Sequence, residues 1–210
     1  MREEADLRRL SELPDWERLE EEGRLRDTFI IVSLLAGKAT RFHVGEESPP
    51  KVVYPVGDKP LALYTLQGIQ DLRQEGFPIF TVGIIGGHPT SDGKSDRVME
   101  RIGTGYVDRY VPQPVQRGSG HSAFFATYAI PETYPGYVIV ASGDVVVPKE
   151  ALKLLIREHR RSGAALSILT TDLENPQGKG RIIRRENGII DRIMEQTDIA
   201  QVIEEGKTVT

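Results

Sequence analysis

Short apolar runs alternate with amphipathic segments along this chain, and this alternation restricts its fold more than any other feature. The runs Phe29–Leu35, Ile79–Ile85 and Tyr137–Ala141 have the length and composition of buried parallel strands. Between the first two runs, apolar residues from Leu66 to Leu72 recur at helical spacing. Repeated strand–helix–strand units predict an α/β, Rossmann-like fold, a mostly parallel twisted sheet with helices on both faces.

The remaining segments extend this pattern. Further strands are predicted at Tyr106–Val111 and Ala164–Thr170, and helices are predicted at Gly120–Ile130 and after Pro148. Near the C-terminus, the Asn-Gly pair at residues 187–188 separates two strand-like runs and predicts a β-hairpin from Arg181–Arg185 and Ile189–Met194.

The first 26 residues have a different character from the rest. They are dense in Glu and Arg, and Leu7 and Leu10 are helically spaced, as are Trp16 and Leu19. Residues 1–26 are therefore predicted to be a helical N-terminal arm, and residues 27–210 one domain. We favour an arm packed on the domain surface; a docking arm for another subunit is the alternative.

Composition excludes several classes of protein. The chain has 210 residues and a net charge of −4, which argues against a general nucleic-acid binder. It has no cysteine, so thiolate metal sites and cysteine nucleophiles are absent. No signal peptide and no apolar run of membrane-spanning length is visible. These features predict a cytoplasmic protein with no nucleic-acid or membrane partner.

The loop after the first strand has the composition of a phosphate site. It contains Ala36, Gly37, Lys38 and Arg41, and Lys51 follows ten residues later. Small residues allow a close approach of backbone N–H groups, and the cations supply positive charge. It is not a P-loop, because no Gly-Lys-Ser/Thr ends it. A structural turn with solvated basic residues is the alternative.

Asp144 is the candidate metal ligand. It follows a buried strand and Gly143, and the next helix starts near Pro148, so Asp144 is poorly placed to cap that helix. Mg²⁺ takes one or two carboxylates together with phosphate oxygens and water, as nucleotidyl transfer requires. Asp144 is expected to lie at the same sheet edge as the Ala36 loop, because both follow parallel strands.

Two further segments carry weaker signals. In the segment from Gln113 to His121, an amide can pair with a base edge, Gly118 allows close approach to a flat ring, and Ser119 can cap a helix. The segment Gly178–Arg181 and the later Glu195 indicate, by themselves, only a loop and a surface charge.

Together these segments resemble the sugar nucleotidyltransferase family over about residues 28–205, and most closely its N-acetylglucosamine-1-phosphate uridylyltransferase domains. The family motif Leu-Ala-Ala-Gly-x-Gly-Thr-Arg-Met is present as LLAGKATRF and is followed by Pro-Lys-Val. The other matches, in the same order, are QPVQRGSGH at 113–121, Gly143-Asp144, GKGRI at 178–182 with the Asn-Gly turn, and Glu195.

The resemblance implies a role for each matching residue. Ala36, Gly37 and Lys38 would lie against the nucleotide, and Arg41 and Lys51 would act on its phosphates as the catalytic cations. Gln113 and Gly118 would contact the uracil base, with Ser119 beside them in the nucleotide site. Asp144 would hold Mg²⁺, the implied cofactor. Gly180 and Glu195 would bind the sugar phosphate.

The chain departs from the family pattern in four places. Ala39 replaces a glycine of the phosphate loop, and Leu35 replaces an alanine, so its larger side chain is expected to crowd the nucleotide. Ser142 stands where the family has a tyrosine, which removes a contact to the substrate. The family's later Asn-Thr-Gly segment and second metal-binding asparagine are not found, so we expect the chain to be a piece of a longer protein, truncated at its C-terminal end.

The implied reaction is the Mg²⁺-dependent transfer of a uridylyl group from UTP to a sugar-1-phosphate, with N-acetylglucosamine-1-phosphate the first candidate. The products would be a UDP-sugar and pyrophosphate. One alternative is a nucleotide-sugar-binding or regulatory module with the same fold and little turnover; another is an enzyme for a different sugar phosphate or base. A homo-oligomer and a further C-terminal domain, such as an acyltransferase, are left open as partners, as is the activity of this segment alone.

Overall fold

The chain divides into two compact units, Met1–Ser167 and Ile168–Thr210. The structure is a computed structural model that describes residues 16–37, 49–86, 94–196 and 198–199.

The first unit is built on a four-stranded parallel sheet with the strand order β5-β4-β1-β6. All six residues of β1 are buried, because this central strand is covered on both faces. In the register, Ile31 lies beside Thr81 on one side and Ile139 on the other. The strands are β1 Phe29–Leu34, β4 Ile79–Gly86, β5 Arg109–Gln113 and β6 Tyr137–Ser142.

Two small antiparallel pairs complete the strands. In the first unit, β2 (Pro55–Val56) pairs with β3 (Lys59–Pro60). In the second unit, β7 (Arg181–Arg184) pairs with β8 (Ile190–Met194), which confirms the predicted hairpin. Its turn contains Gly188 at a φ of 79°, a left-handed conformation that glycine adopts without strain.

Helices lie on both faces of the parallel sheet, as predicted. One face packs against α2, α3 and α5 through Leu66, Ile69, Leu72, Val98, Ile102 and Leu152. The other face packs against the 3-10 helix Phe125–Ala129. The α-helices are α1 Trp16–Glu21, α2 Leu63–Gln74, α3 Lys94–Ile102, α4 Ser119–Phe124 and α5 Lys149–Ser162. Among the described residues, no helix is long and apolar enough to cross a bilayer.

Helix α1 of the N-terminal arm contacts the apolar cluster on the second face of the sheet. The Trp16 ring lies 5.2 Å from that of Phe80 and 6.1 Å from that of Tyr134. Leu25, in the turn that leads to β1, is also buried. These contacts agree with an arm packed on its own domain; residues 1–15, with Leu7 and Leu10, lie outside the described residues.

The predicted strand Ala164–Thr170 is wrong. Helix α5 ends at Ser162 and is capped by Gly163, whose φ of 61° closes the helix, and residues 164–170 form no strand. The run begins with two alanines, which have low strand propensity, and Leu166 is 75% exposed. The sheet therefore ends at β6, where Val138 and Val140 are about half exposed.

Candidate functional site

Four strand ends meet at one edge of the parallel sheet. Because all four strands run in the same direction, Leu34, Gly86, Gln113 and Ser142 end their strands side by side. Three of the predicted site segments follow these strand ends directly. The topology therefore brings these segments to one edge of the sheet, beyond the carboxyl ends of its strands, where ligands of parallel sheets commonly bind.

The loop after β1 leaves this edge between the two neighbouring strands. The Leu35 N–H donates to the carbonyl of Ile84 at 2.7 Å, and the Gly143 N–H donates to the carbonyl of Leu34 at 3.0 Å. Ala36 is half-buried, and Gly37 is exposed with open space where a Cβ would lie. The loop thus presents accessible backbone at the site. Lys38, Ala39 and Arg41 lie outside the described residues.

The expectation that Leu35 crowds the nucleotide is wrong. Leu35 is only 2% exposed and belongs to the core cluster beneath the helices. Its Cδ2 lies 2.8 Å from the position that a Cβ on Gly143 would occupy, and its Cδ1 lies 3.1 Å from the corresponding position on Gly83. The larger side chain fills space between two glycines inside the sheet, and not space above the loop.

Lys51 and Asp144 form an ion pair at the sheet edge. The Lys51 ammonium donates to Oδ2 of Asp144 at 2.8 Å, across 93 residues of sequence. Lys51 begins the 3-10 turn Lys51–Val53, which is held in the core by Val52 and Val53. Both charged side chains remain partly accessible, at 41% and 37% exposure. The structure thus brings together the predicted phosphate cation and the predicted metal ligand.

Ser142 forms a hydrogen bond with the other oxygen of the Asp144 carboxylate. Its hydroxyl donates to Oδ1 of Asp144 at 2.7 Å. Burial raises the pKa of Asp144, but the hydrogen bonds from Lys51 and Ser142 outweigh burial, so the net pKa lies below the ordinary value of 3.8. Asp144 is therefore ionised at neutral pH. From sequence, Ser142 was predicted only to remove a substrate contact, and this bond to Asp144 was not predicted.

The residues around Asp144 suit a magnesium ion. Within the described part of the chain, no group of three or more His, Asp or Glu side chains could hold a metal by itself. Asp144 supplies one ionised carboxylate beside a hydroxyl oxygen, both hard donors. Mg²⁺ commonly takes one or two protein carboxylates and completes its shell with phosphate oxygens and water. The donor set fits such an ion.

The predicted residues at the end of β5 and in the following segment differ in their exposure to solvent. Gln113 is 1% exposed, and its Nε2 lies 2.8 Å from Nδ1 of His121. Gly118 is the N-cap of α4 with a φ of 100°, which glycine tolerates, and Ser119 is the exposed first residue of the helix. No side-chain cap bond is made there, so the expected capping by Ser119 is wrong.

Gln116, which is not among the predicted site residues, also lies at this sheet edge beside Gly86. A Cβ on Gly86 would collide with its side-chain amide, and the same position lies 3.6 Å from the Cβ of Ala36. Gln116 Oε1 is buried and has no hydrogen-bond partner among the residues that the structure describes. Because β4 ends in a glycine, the Gln116 side chain, from the loop after β5, can approach the Ala36 loop. The QPVQ spacing was the available signal.

Gly180 and Glu195 lie together in the second unit. A Cβ on Gly180 would lie 3.7 Å from Oε1 of Glu195. The pairing of β7 with β8 explains this proximity, because Arg181 is the register partner of Met194. The two residues predicted to bind the sugar phosphate are therefore neighbours.

Comparisons with known proteins were made on sequence and structure. No family model matches the chain. The chain is 31% identical over 173 residues to the bifunctional protein GlmU of Thermoanaerobacter pseudethanolicus, 33% over 168 residues to that of Geobacter metallireducens and 31% over 179 residues to that of Mycobacterium tuberculosis. The matches cover 80–82% of this chain and 32–34% of the relatives, so the chain spans about a third of their length.

A solved structure shows the same fold. The structure of UDP-glucose pyrophosphorylase complexed with UDP-glucose superposes with a TM-score of 0.56 and 18% sequence identity. The superposition covers 80% of this chain and 69% of that protein. The predicted Rossmann-like class is thus confirmed from backbone geometry as well as from topology.

Proposed function

We propose that this chain, as a member of the sugar nucleotidyltransferase family, transfers a uridylyl group from UTP to a sugar-1-phosphate. N-acetylglucosamine-1-phosphate is the first candidate acceptor. The single observation that carries the proposal is the contact of Lys51 with Asp144 beside the Ala36 loop. This contact joins a cation, a carboxylate and open loop backbone at the carboxyl edge of a parallel sheet.

The proposed reaction needs no covalent enzyme intermediate. A phosphate oxygen of the sugar-1-phosphate attacks the α-phosphorus of UTP and forms the new O–P bond. The bond between the α-phosphorus and the bridging oxygen breaks, and pyrophosphate leaves with those electrons. The protein therefore contributes orientation and charge neutralisation.

In this scheme, each described residue has a limited task. Ala36 and Gly37 present backbone N–H groups to the phosphates, and Lys51 neutralises phosphate charge. Asp144 would hold a magnesium ion, which supplies charge neutralisation at the transferring phosphorus when bound. Gln113 and Gly118 would contact the base, and within the second unit Gly180 and Glu195 are the residues that the resemblance assigns to the sugar phosphate.

The assay is release of pyrophosphate from UTP and N-acetylglucosamine-1-phosphate in the presence of Mg²⁺. We expect Asp144→Asn to lower turnover by about 100-fold or more, since metal-dependent charge stabilisation is worth several kcal/mol. Asp71→Asn, an exposed carboxylate on α2, is the matched control and should keep full activity. Unchanged turnover in Asp144→Asn would contradict the metal assignment.

The acceptor and the base are tested in the same assay. Replacing the hexosamine phosphate with glucose-1-phosphate, or UTP with other nucleoside triphosphates, should lower kcat/KM. Equal rates with glucose-1-phosphate would favour a different sugar phosphate. A rise in melting temperature with UTP but no pyrophosphate release would instead identify a nucleotide-binding module with little turnover.

A further inference from the structure

The carboxylate of Asp144 has a protein partner on each of its oxygens. Lys51 Nζ lies 2.8 Å from Oδ2, and Ser142 Oγ lies 2.7 Å from Oδ1. The ammonium therefore stands directly on one of the two oxygens that a metal ion would use. A divalent cation and Lys51 on that same oxygen would repel each other, so the ammonium lowers the affinity of the carboxylate for the cation.

The backbone on both sides of this ion pair is fixed. Val52 and Val53 anchor the turn that carries Lys51 at 6% and 0% exposure. On the other side, the Gly143 N–H donates to the Leu34 carbonyl at 3.0 Å. Only side chains are free to rearrange, and a lysine has a flexible four-carbon stem.

When the ion pair breaks, both charged groups remain accessible to water. Lys51 is 41% exposed and Asp144 37%, so water reaches both groups. Partly exposed ion pairs of this kind contribute little net stability, and separating them does not leave a buried charge without a partner, as breaking a buried pair would. Lys51 can therefore leave the carboxylate at low cost when another anion is offered.

We propose that Lys51 is the resident counter-ion of Asp144 and changes partners when substrate binds. Without nucleotide, Lys51 neutralises the carboxylate and keeps divalent cations at low affinity. When a nucleotide arrives with its cation, Lys51 moves to the phosphates and Asp144 takes the cation. Ser142 holds the carboxylate in place throughout, as a positioning residue. This inference rests on the proposed function and extends it to the order in which the charges assemble.

The test measures Mn²⁺ binding to the nucleotide-free protein by electron paramagnetic resonance. We expect Lys51→Met to lower the Kd for Mn²⁺ by about five-fold or more, because the competing positive charge is removed. Lys51→Gln is the second variant and should behave in the same way. Lys153→Met removes one positive charge that pairs with Glu75, away from Asp144, and should leave the Kd unchanged. Melting temperatures verify that each variant is folded.

The double variant Lys51→Met/Asp144→Asn identifies the oxygen donor. We expect it to lose the gained affinity completely. If Lys51→Met and Lys51→Gln gain no Mn²⁺ affinity while Asp144→Asn abolishes the binding of the parent protein, the exchange is overturned and the metal assignment stands. If Asp144→Asn leaves Mn²⁺ binding intact, the metal assignment within the proposed function falls, and the exchange falls with it. These two failures are therefore distinguishable without an activity assay.

Discussion

Gly143 is the residue on which the geometry of Asp144 depends most. A Cβ at this position would lie 2.6 Å from the Leu34 carbonyl oxygen and 2.8 Å from Cδ2 of Leu35. The first of these atoms is backbone of the central strand, so it cannot move aside cheaply. We predict that Gly143→Ala lowers the free energy of unfolding by about 1–3 kcal/mol, the usual cost of overpacking. Urea denaturation measures this loss.

Gly105→Ala is the matched control for this substitution. Nothing lies within 4 Å of a Cβ on Gly105, and its backbone is not left-handed. The free energy of unfolding of the Gly105→Ala variant should therefore stay within about 0.5 kcal/mol of that of the parent protein, as for other surface changes. Equal stability of Gly143→Ala and Gly105→Ala would show that the sheet edge relaxes around the added methyl group.

Helices α2 and α5 are tied together by Glu75 at the C-terminal end of α2. The ammonium groups of Lys149 and Lys153 each lie 2.6 Å from one oxygen of this carboxylate. The helices also approach closely, since a Cβ on Gly68 would lie 3.4 Å from the backbone of Lys149. The hydrogen bond from Lys149, followed by that from Lys153, lowers the pKa of Glu75 to about 2.

This depressed pKa predicts a pH dependence of stability. The ordinary pKa is 4.5, so the stabilisation is fully present above that pH and is lost as the pH falls toward 2. We expect Glu75→Gln to lower the urea midpoint at pH 7, with a difference from the parent that shrinks below pH 4.5. High salt should reduce the difference, because the carboxylate is exposed to solvent.

Glu150→Gln is the control for the same helix. Glu150 is 75% exposed and lies 3.8 Å from Lys149, with no second lysine. Its removal should change the urea midpoint much less. A constant difference between Glu75→Gln and the parent protein from pH 7 to pH 3 would contradict the assigned role of the two lysines.

At the scale of the whole molecule, the only tryptophan reports whether the arm unfolds with the sheet. Trp16 is half-buried against Phe80 and Tyr134, while α2, α3 and α5 supply most of the helical signal of the first unit. We predict that tryptophan fluorescence and circular dichroism at 222 nm give the same urea midpoint, as expected for one cooperative unit. A fluorescence transition at lower urea would show that the arm detaches first.

Two substitutions, Trp16→Ala and Trp16→Phe, measure how much the packing of the Trp16 ring contributes to stability, with unfolding followed by circular dichroism. The alanine variant should lower the free energy of unfolding by about 2 kcal/mol, less than for a fully buried tryptophan. The phenylalanine variant keeps an aromatic ring against Phe80 and should lose less than half of that. Equal losses would mean that the ring contacts contribute little to holding the arm.

Elements that depend on local sequence patterns were predicted correctly. Features that depend on which distant segments pair or pack together were not. The strands around Phe29–Leu34 and Ile79–Gly86 were predicted because near-continuous apolar runs can be buried only inside a sheet. Residues 164–170 have a similar apolar content, yet a run of that kind becomes a strand only if it pairs with a neighbour. The prediction for Leu35 was wrong for a related reason. Its position next to the loop in sequence does not indicate whether its side chain points toward the loop or into the core.

The sequence by itself determined the fold class, the hairpin near the C-terminus and the set of segments that meet at the sheet edge. These follow from periodicity and turn chemistry, which act over a few residues. Only the tertiary structure decided which side chains touch at that edge. Lys51 reaches Asp144 across 93 residues because Val52 and Val53 anchor its turn in the core, with Val52 against Gly143. Ser142 completes the carboxylate's bonds because β6 ends beside it.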